Sequence, residues 1–282
     1  MKKLPLIAIC GLTLLTGAYF LNRNLTKEKT TEPRQIQVSV PTTDESLQST
    51  NSSKYIKVAN WNLQIFGDAK ASKPELMNTY ANTLTNFDIA FVQEIRDSDS
   101  SSFDALCSML TNYNSRISSR AGRSSSKEQY GVLYKKGIKL EEMKDYNPDA
   151  QNRWERPPIE VSFNIEGYKL RAYNIHTKPA AVKSELASLE EIVSTNGNSV
   201  ILGDLNASGS YYNPTVNTEL DSWKWVIKDS EDTTVSKTDC AYDRIIMNND
   251  AYQEYSTSGV SRAGIIKEVS DHFPVWVELK VK

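Results

Sequence analysis

Residues 158–165 and 168–177 read PIEVSFNI and YKLRAYNIHT. Both runs are rich in Val, Ile, Tyr and Phe, side chains that fill a pleated, half-buried surface. They are close enough in the chain to form a hairpin, which argues against a uniform βαβ array. Outward from this pair lie further runs of strand length bounded by polar loops: YIKVANWNLQIF (55–66), DIAFVQEI (88–95), YGVLYKK (130–136), SVILGDLNA (199–207), AYDRIIM (241–247) and FPVWVELKV (273–281). Two segments carry helical periodicity instead. PELMNTYANTLTNF (74–87) places Leu76, Tyr80 and Leu84 on one face, and KSELASLEEIVSTN (183–196) places Leu186, Leu189, Ile192 and Val193 on one face. Asn196-Gly197 is the expected stop of the second helix. Strands outnumber helices, so the expected class is a mixed, layered α/β (α+β) domain.

The 282 residues carry 33 Lys+Arg against 35 Asp+Glu, a formal charge of -2. That balance excludes gripping nucleic acid by bulk positive charge, so any polyanion must meet a local patch. Three cysteines are too few for a disulfide scaffold. Residues 1–21 begin with Lys2 and Lys3 and continue as an apolar run from Leu4 to Leu21, with Thr16-Gly17-Ala18 as a candidate cleavage site. This is the pattern of a signal peptide or, if uncut, an N-terminal membrane anchor through residues 4–21. Cys10 would suit lipidation, but Ile9 stands where a small residue is needed. Residues 22–53 are polar and lack apolar periodicity, as in a flexible linker. The expected folded domain is 54–282, exported as a secreted, periplasmic or membrane-anchored unit.

The expected strands end in polar residues where a core-only protein would simply turn. Asn62, Glu94, His176, Asp204 with Asn206, Asp243, and Asp271 with His272 all occupy such positions. Carboxylate and amide oxygens with two imidazoles suit phosphoryl chemistry assisted by a hard cation. Each residue alone has a plainer reading: Glu94 as a solvated loop residue, Asp204 as an Asx turn, His176 as a structural histidine, Asp271-His272 as a strand cap. The conjunction carries the argument, because both histidines of the chain sit at strand edges beside acidic or amide residues.

Those motifs resemble the endonuclease/exonuclease/phosphatase superfamily, and within it the deoxyribonuclease I family. The matching segments are NWNLQIFG (60–67), FVQEIRDSD (91–99), SKEQYGVLYK (126–135), RPPIEVSF (156–163), NIHTKP (174–179), GDLNASGSYY (203–212), DSEDTTVSKTDCAYDRI (229–245) and SDHFPV (270–275), in the family's order. The resemblance implies a four-layer α/β/β/α sandwich, two packed mixed β-sheets flanked by helices. It implies a phosphodiester hydrolase, a DNA endonuclease of little sequence specificity that leaves 5′-phosphate and 3′-hydroxyl ends. Glu94, Asn62 and Asp271 match its metal residues for Mg²⁺ (or Mn²⁺). Asp204 and Asn206 match the pair that orients water and phosphate. His176 backed by Glu128, and His272 backed by Asp243, match its two imidazoles. Arg96, Arg156 and Tyr242 match DNA-binding positions, with Arg120, Arg123, Lys127 and Lys178 as a further basic rim. Asp232, Thr234 and Thr238 match a structural Ca²⁺ loop. The implied partner is DNA, double-stranded, with a monomeric enzyme and no obligate protein partner.

The chain departs from the family pattern in three places. Cys240 matches half of a disulfide whose other position is Gly209, which leaves a Cys107–Cys240 bridge as an open alternative. DYNPDAQNRW (145–154) replaces a small disulfide loop, and Ser126 replaces a minor-groove tyrosine. The competing readings are a superfamily phosphodiesterase or phosphatase acting on sphingomyelin or inositol phosphates, and a non-catalytic binding module. No apolar hairpin for membrane insertion favours the first, and no catalytic position is missing as the second would require.

Overall fold

The hairpin read from residues 158–177 forms, and it lies inside one of two six-stranded sheets. The computed structural model describes residues 54–213 and 215–281. The readings for residues 1–21 and 22–53 lie outside the described residues. In chain order the strands are β1 (Lys54–Phe66), β2 (Ile89–Ile95), β3 (Tyr113–Ile117), β4 (Gln129–Lys135), β5 (Lys139–Asp145), β6 (Ile159–Ile165), β7 (Tyr168–Asn174), β8 (Ser199–Asp204), β9 (Lys224–Trp225), β10 (Asp243–Met247), β11 (Tyr255–Val260) and β12 (Val275–Val281). The helices are α1 (Asp68–Ala71), α2 (Pro74–Leu84), α3 (Ser101–Met109), α4 (Val182–Glu190) and α5 (Asn249–Tyr252). None of the described helices is long and apolar enough to cross a membrane.

One sheet has the order β11-β12-β1-β2-β4-β3 and the other β5-β6-β7-β8-β10-β9. Both are mixed: β1–β2 and β7–β8 pair in parallel, their neighbours antiparallel. Alternation explains the layering. In β6, Ile159, Val161, Phe163 and Ile165 are buried and the residues between them are not. Their faces meet Ile56, Val58, Phe91 and Val132 of the opposite sheet in the central core. Phe163 packs edge-on against Phe91 and Tyr134, with ring centroids 6.3 and 5.9 Å apart. The outer face of the first sheet is covered by α2 and α3 through Leu76, Tyr80, Leu84, Phe103 and Leu106. The outer face of the second is covered by α4 through Leu186 and Leu189. The architecture is the expected four-layer α/β/β/α sandwich.

The second helix is shorter than its periodicity predicts. α4 stops at Glu190, and the N–H groups of Ile192 and Val193 both turn back to the Leu189 carbonyl. Beyond it come two β-branched residues, then Ser194 and Thr195, all weak helix formers. Val193 is still buried against α4, so apolar spacing persists where the helix does not. Several strands are also shorter than their apolar runs: β7 ends before His176, β8 before Asn206, and β10 and β12 begin at Asp243 and Val275. The trimmed residues form loops at strand ends of both sheets.

Candidate active site

β1 carries a bulge just past Asn62. Its pairing with β2 slips between Asn62 and Phe66, and Gln64 and Ile65 take left-handed backbone angles, φ 51° and 50°. The slip turns the Ile65 N–H onto Glu94 Oε2 at 2.9 Å. Glu94 is itself left-handed, φ 61°, at a second slip between β2 and β4. Non-glycine residues rarely adopt these angles, and they persist where surrounding contacts hold them. Asn62 Nδ2 reaches Glu94 Oε1 at 3.2 Å and Asp204 Oδ2 at 3.1 Å. Burial would raise the Glu94 carboxyl, but facing His176, the Ile65 N–H, Arg96 and Asn62 hold it below the ordinary value.

Asp204 ends β8 behind Gly203. A Cβ at Gly203 would lie 1.9 Å from the Ile175 carbonyl oxygen, so only glycine lets the end of β7 pack this closely. Asn206 follows at φ 48°; its N–H donates to Asp204 Oδ1 at 3.1 Å and its Nδ2 to the Thr177 carbonyl at 3.0 Å. The Asx turn and the site are therefore the same feature.

The two imidazoles are built alike. His176 Nδ1 lies 2.7 Å from Glu128 Oε1, and its Nε2 lies 3.4 Å from Asp204 Oδ2. His272 Nδ1 lies 2.7 Å from Asp243 Oδ2, and its Nε2 lies 3.5 Å from the same Asp204 oxygen. With Nδ1–H donated to a carboxylate, a neutral ring would aim its Nε2 lone pair at a second carboxylate; the charged ring aims N–H bonds at both. Burial would lower His272, but Asp243 and Asp204 overcome it and raise its pKa to about 10. Burial raises Asp243 to about 6 even against His272. Burial and Arg156 oppose charging of His176, but Glu128 and Asp204 raise it above the ordinary value. Asp204, which burial alone would raise, is held low by His272 and His176.

The donor atoms of Glu94, Glu128 and His176 lie within 4.8 Å of one another. Glu128 Oε2, in this group, is buried with no hydrogen-bond partner. Such an orphaned carboxylate oxygen beside Glu94 fits a hard cation. Asn62 adjoins Glu94, but Asp271 falls outside the group; it is more exposed and lies against the site-facing edge of His272, Oδ1 to Nε2 3.7 Å.

Arg96 lies between Glu94 (3.5 Å) and Glu128 (3.9 Å). Arg156 is almost buried: its Nε and Nη2 donate to the carbonyls of His176 and Thr177, both at 2.9 Å, and Nε lies 3.4 Å from Glu128. It sits beneath the catalytic constellation more than on the outer rim. Arg123, Lys127 and Lys178 are exposed. Tyr242 packs its ring 5.7 Å from exposed Tyr211 at the site's edge. Asp232, Thr234 and Thr238 share one loop: Asp232 Oδ1 accepts from the Thr234 N–H at 3.1 Å, and Ser236 Oγ links to the Thr238 carbonyl at 2.6 Å. The loop abuts the segment that carries His272, the Val235 N–H donating to the Asp271 carbonyl at 2.8 Å. Cys107 and Cys240 are both free, so the Cys107–Cys240 alternative is not realised. A Cβ at Gly209 would lie 3.8 Å from Cys240 Sγ, so the family's two disulfide positions are neighbours even though only one is cysteine.

The sequence reading overlooked three amides that join the sheets beneath the site. Asn174 Nδ2 donates to Asn60 Oδ1 at 2.8 Å, Gln93 Nε2 to the Ile175 carbonyl at 2.9 Å, and Gln93 Oε1 accepts the Asp204 N–H at 2.9 Å. All three are fully buried. Their signal was an amide inside an otherwise apolar strand, one or two positions before each site residue.

Comparison with known proteins bears on the family and the fold. The profile of the Endonuclease/Exonuclease/phosphatase family matches residues 59–272. Deoxyribonuclease-1 of Gallus gallus is 31% identical over 263 residues, covering 80% of this chain and 93% of that protein. Deoxyribonuclease gamma of Homo sapiens is 31% identical, covering 83% of this chain and 89% of its own length. Among solved structures, an endonuclease/exonuclease/phosphatase family protein from Bacteroides thetaiotaomicron superposes with TM-score 0.62 at 17% identity, over 81% of this chain and 96% of its own. TDP2 of D. rerio, complexed with single strand DNA product, superposes with TM-score 0.61 at 13% identity, over 80% of this chain and 99% of its own. At these identities the structural likeness speaks for the fold.

Proposed function

The chain belongs to the deoxyribonuclease I family, within the endonuclease/exonuclease/phosphatase superfamily, and from that premise we propose that it is an exported, divalent-metal-dependent DNA endonuclease of little sequence specificity. The observation that carries the proposal is the convergence of two carboxylate-backed imidazoles on one oxygen of Asp204, 3.4 and 3.5 Å away. A site for simple binding has no use for two imidazoles, each backed by its own carboxylate, turned onto one buried carboxylate oxygen. A hydrolase that must activate water on one side of a phosphate and protonate a leaving oxygen on the other does.

In this reading Asp204 and Asn206 orient the attacking water and the phosphate. Glu128 and Asp243 fix the ring orientations, and the two imidazoles handle the protons at the attacking and leaving oxygens. Asn62, Glu94 and Asp271 are assigned to hold Mg²⁺ or Mn²⁺, with the orphaned Glu128 oxygen as an added donor. The bound cation supplies charge stabilisation on the phosphoryl oxygens. Arg96 and Arg156 stiffen the carboxylates and the His176 backbone, and Arg123, Lys127, Lys178 and Tyr242 face the DNA. Contacts to phosphates position a duplex without reading its sequence. Asp232, Thr234 and Thr238 form the proposed Ca²⁺ loop. Export rests on residues 1–21, and residues 22–53 tether the domain.

The proposed hydrolysis breaks the bond between phosphorus and the 3′ oxygen, leaving 5′-phosphate and 3′-hydroxyl ends. Plasmid nicked by the protein is therefore expected to be resealed by DNA ligase with no prior kinase or phosphatase treatment. Nicks that reseal only after end repair would reject this bond assignment.

A further inference from the structure

Two buried carboxylates outside the catalytic set hold together three separate pieces of chain. Glu155 Oε1 accepts the N–H groups of Arg123 at 2.9 Å and Ser124 at 2.8 Å. Its Oε2 lies 3.4 Å from Lys178 Nζ and 4.0 Å from Arg123 Nε. Behind it, Glu185 Oε1 accepts the Glu155 N–H at 2.8 Å, and Glu185 Oε2 accepts the Lys178 N–H at 3.0 Å. The Glu155 side chain is 8% exposed and Glu185 is 1% exposed. Together they join the β3–β4 lobe, the segment entering β6, and the loop that follows His176.

The lobe is closed at its base by a bridge between Ala121 and Glu128, the residue that backs His176. Its outer part, residues 123–127, is exposed and carries Arg123 and Lys127. Its other described hydrogen bonds are few; among them Arg123 Nη1 donates to the Asn152 carbonyl at 2.9 Å, Arg120 Nη2 donates to the Lys127 carbonyl at 3.3 Å, and the Lys127 N–H donates to the Ser125 carbonyl at 3.2 Å. A lobe so sparsely tied would fluctuate unless something grips it. Glu155 grips it at two successive N–H groups, and these charge-assisted bonds to a buried carboxylate are the strong kind. The same carboxylate draws the Lys178 ammonium and the Arg123 guanidinium toward one another, against their mutual repulsion.

We infer that Glu155 is a positioning residue for substrate binding: it fixes the 123–127 lobe against the Lys178 loop so that Arg123, Lys127 and Lys178 form one preset rim for the phosphates of a DNA strand. The inference rests on the nuclease reading of the site. Glu155 touches neither the reacting atoms nor the imidazoles, so its removal acts on binding and not on the chemical step.

The test compares the full chain with Glu155→Ala and Glu155→Gln, reading plasmid-nicking kinetics with Mg²⁺ and amide hydrogen exchange across residues 119–129. Alanine removes the acceptor, and KM is expected to rise roughly tenfold or more with kcat within about twofold, while the amides of residues 123 and 124 exchange at least about tenfold faster. Glutamine keeps an acceptor oxygen and is expected to restore most of the exchange protection and to bring KM back within about threefold of the parent. Unchanged exchange in the alanine variant overturns the grip. Faster exchange with unchanged KM, or a fall in kcat with KM unchanged, overturns the binding role. A parent protein that folds but does not nick overturns the nuclease reading and this inference with it, an outcome distinct from failure in the variants alone.

Discussion

Replacing His176 by alanine is expected to lower the turnover of DNA nicking by at least about a hundredfold, the usual scale for loss of a general acid or base. Each tenfold corresponds to about 1.4 kcal/mol of barrier, so the expected loss is about 2.8 kcal/mol or more. The expectation comes from geometry. Nδ1 is committed to Glu128 at 2.7 Å, so Nε2 is the ring atom free to exchange a proton, and it faces Asp204. Alanine removes that proton carrier and leaves the ring's space for water, which cannot be held at one orientation. The site should otherwise persist: Glu128 keeps Arg156 at 3.4 Å, and the 176–177 backbone keeps the Arg156 bonds and the Tyr130 hydroxyl. KM should therefore change much less than kcat. A folded variant with unchanged turnover would remove His176 from the mechanism.

Asp204→Asn is expected to cost at least as much, roughly a hundred- to ten-thousandfold in kcat, although it changes one atom. Among the described residues, Asp204 is the only carboxylate shared by both imidazoles through Nε2. An amide oxygen can accept from one ring but carries no charge to favour the protonated form of either. Because Asp204 raises both histidines, its neutralisation should move both of their pKa values down. The sign is checkable separately from activity: the histidine ring resonances should titrate at lower pH in the variant than in the parent. Resonances that do not move would show that Asp204 is not what keeps the rings charged, and a folded variant with near-parent kcat would reject its place at the centre of the site.

How far these features could be read from sequence depended on where each residue sits. The interior strands were legible because both faces or one whole face are buried, and Val/Ile/Phe runs such as 158–165 and 199–204 follow from that. The edge strands were not. β5 (KLEEMKD), β3 (YNSRI) and β11 (YSTSGV) show little full burial, so no hydrophobic pattern marks them. They pair because a neighbouring strand offers hydrogen bonds, which sequence periodicity does not record. The site was legible for the opposite reason. Asn62, Glu94, His176, Asp204, Asp243 and His272 interrupt apolar strands at their ends, and a polar residue there has a cost that a purely structural strand avoids. Asn60, Gln93 and Asn174 were missed because an amide within a strand looks the same whether it faces solvent or bridges two sheets. Glu155 and Glu185 were missed because their partners are backbone N–H groups of a loop, which leave no signature in composition. The end of α4 shows the limit of periodicity itself: Val193 keeps its place in the core after the helix has stopped.

We propose that this constellation hydrolyses DNA with a divalent cation and two carboxylate-backed histidines. The most direct measurement is plasmid nicking by residues 54–282 in Mg²⁺, in Mg²⁺ with Ca²⁺, and in EDTA, with His176→Ala assayed beside it. Nicking is expected in Mg²⁺, abolished by EDTA and reduced at least about a hundredfold in the variant. A well-folded protein that leaves plasmid intact in every metal condition, or that nicks equally in EDTA, would contradict it.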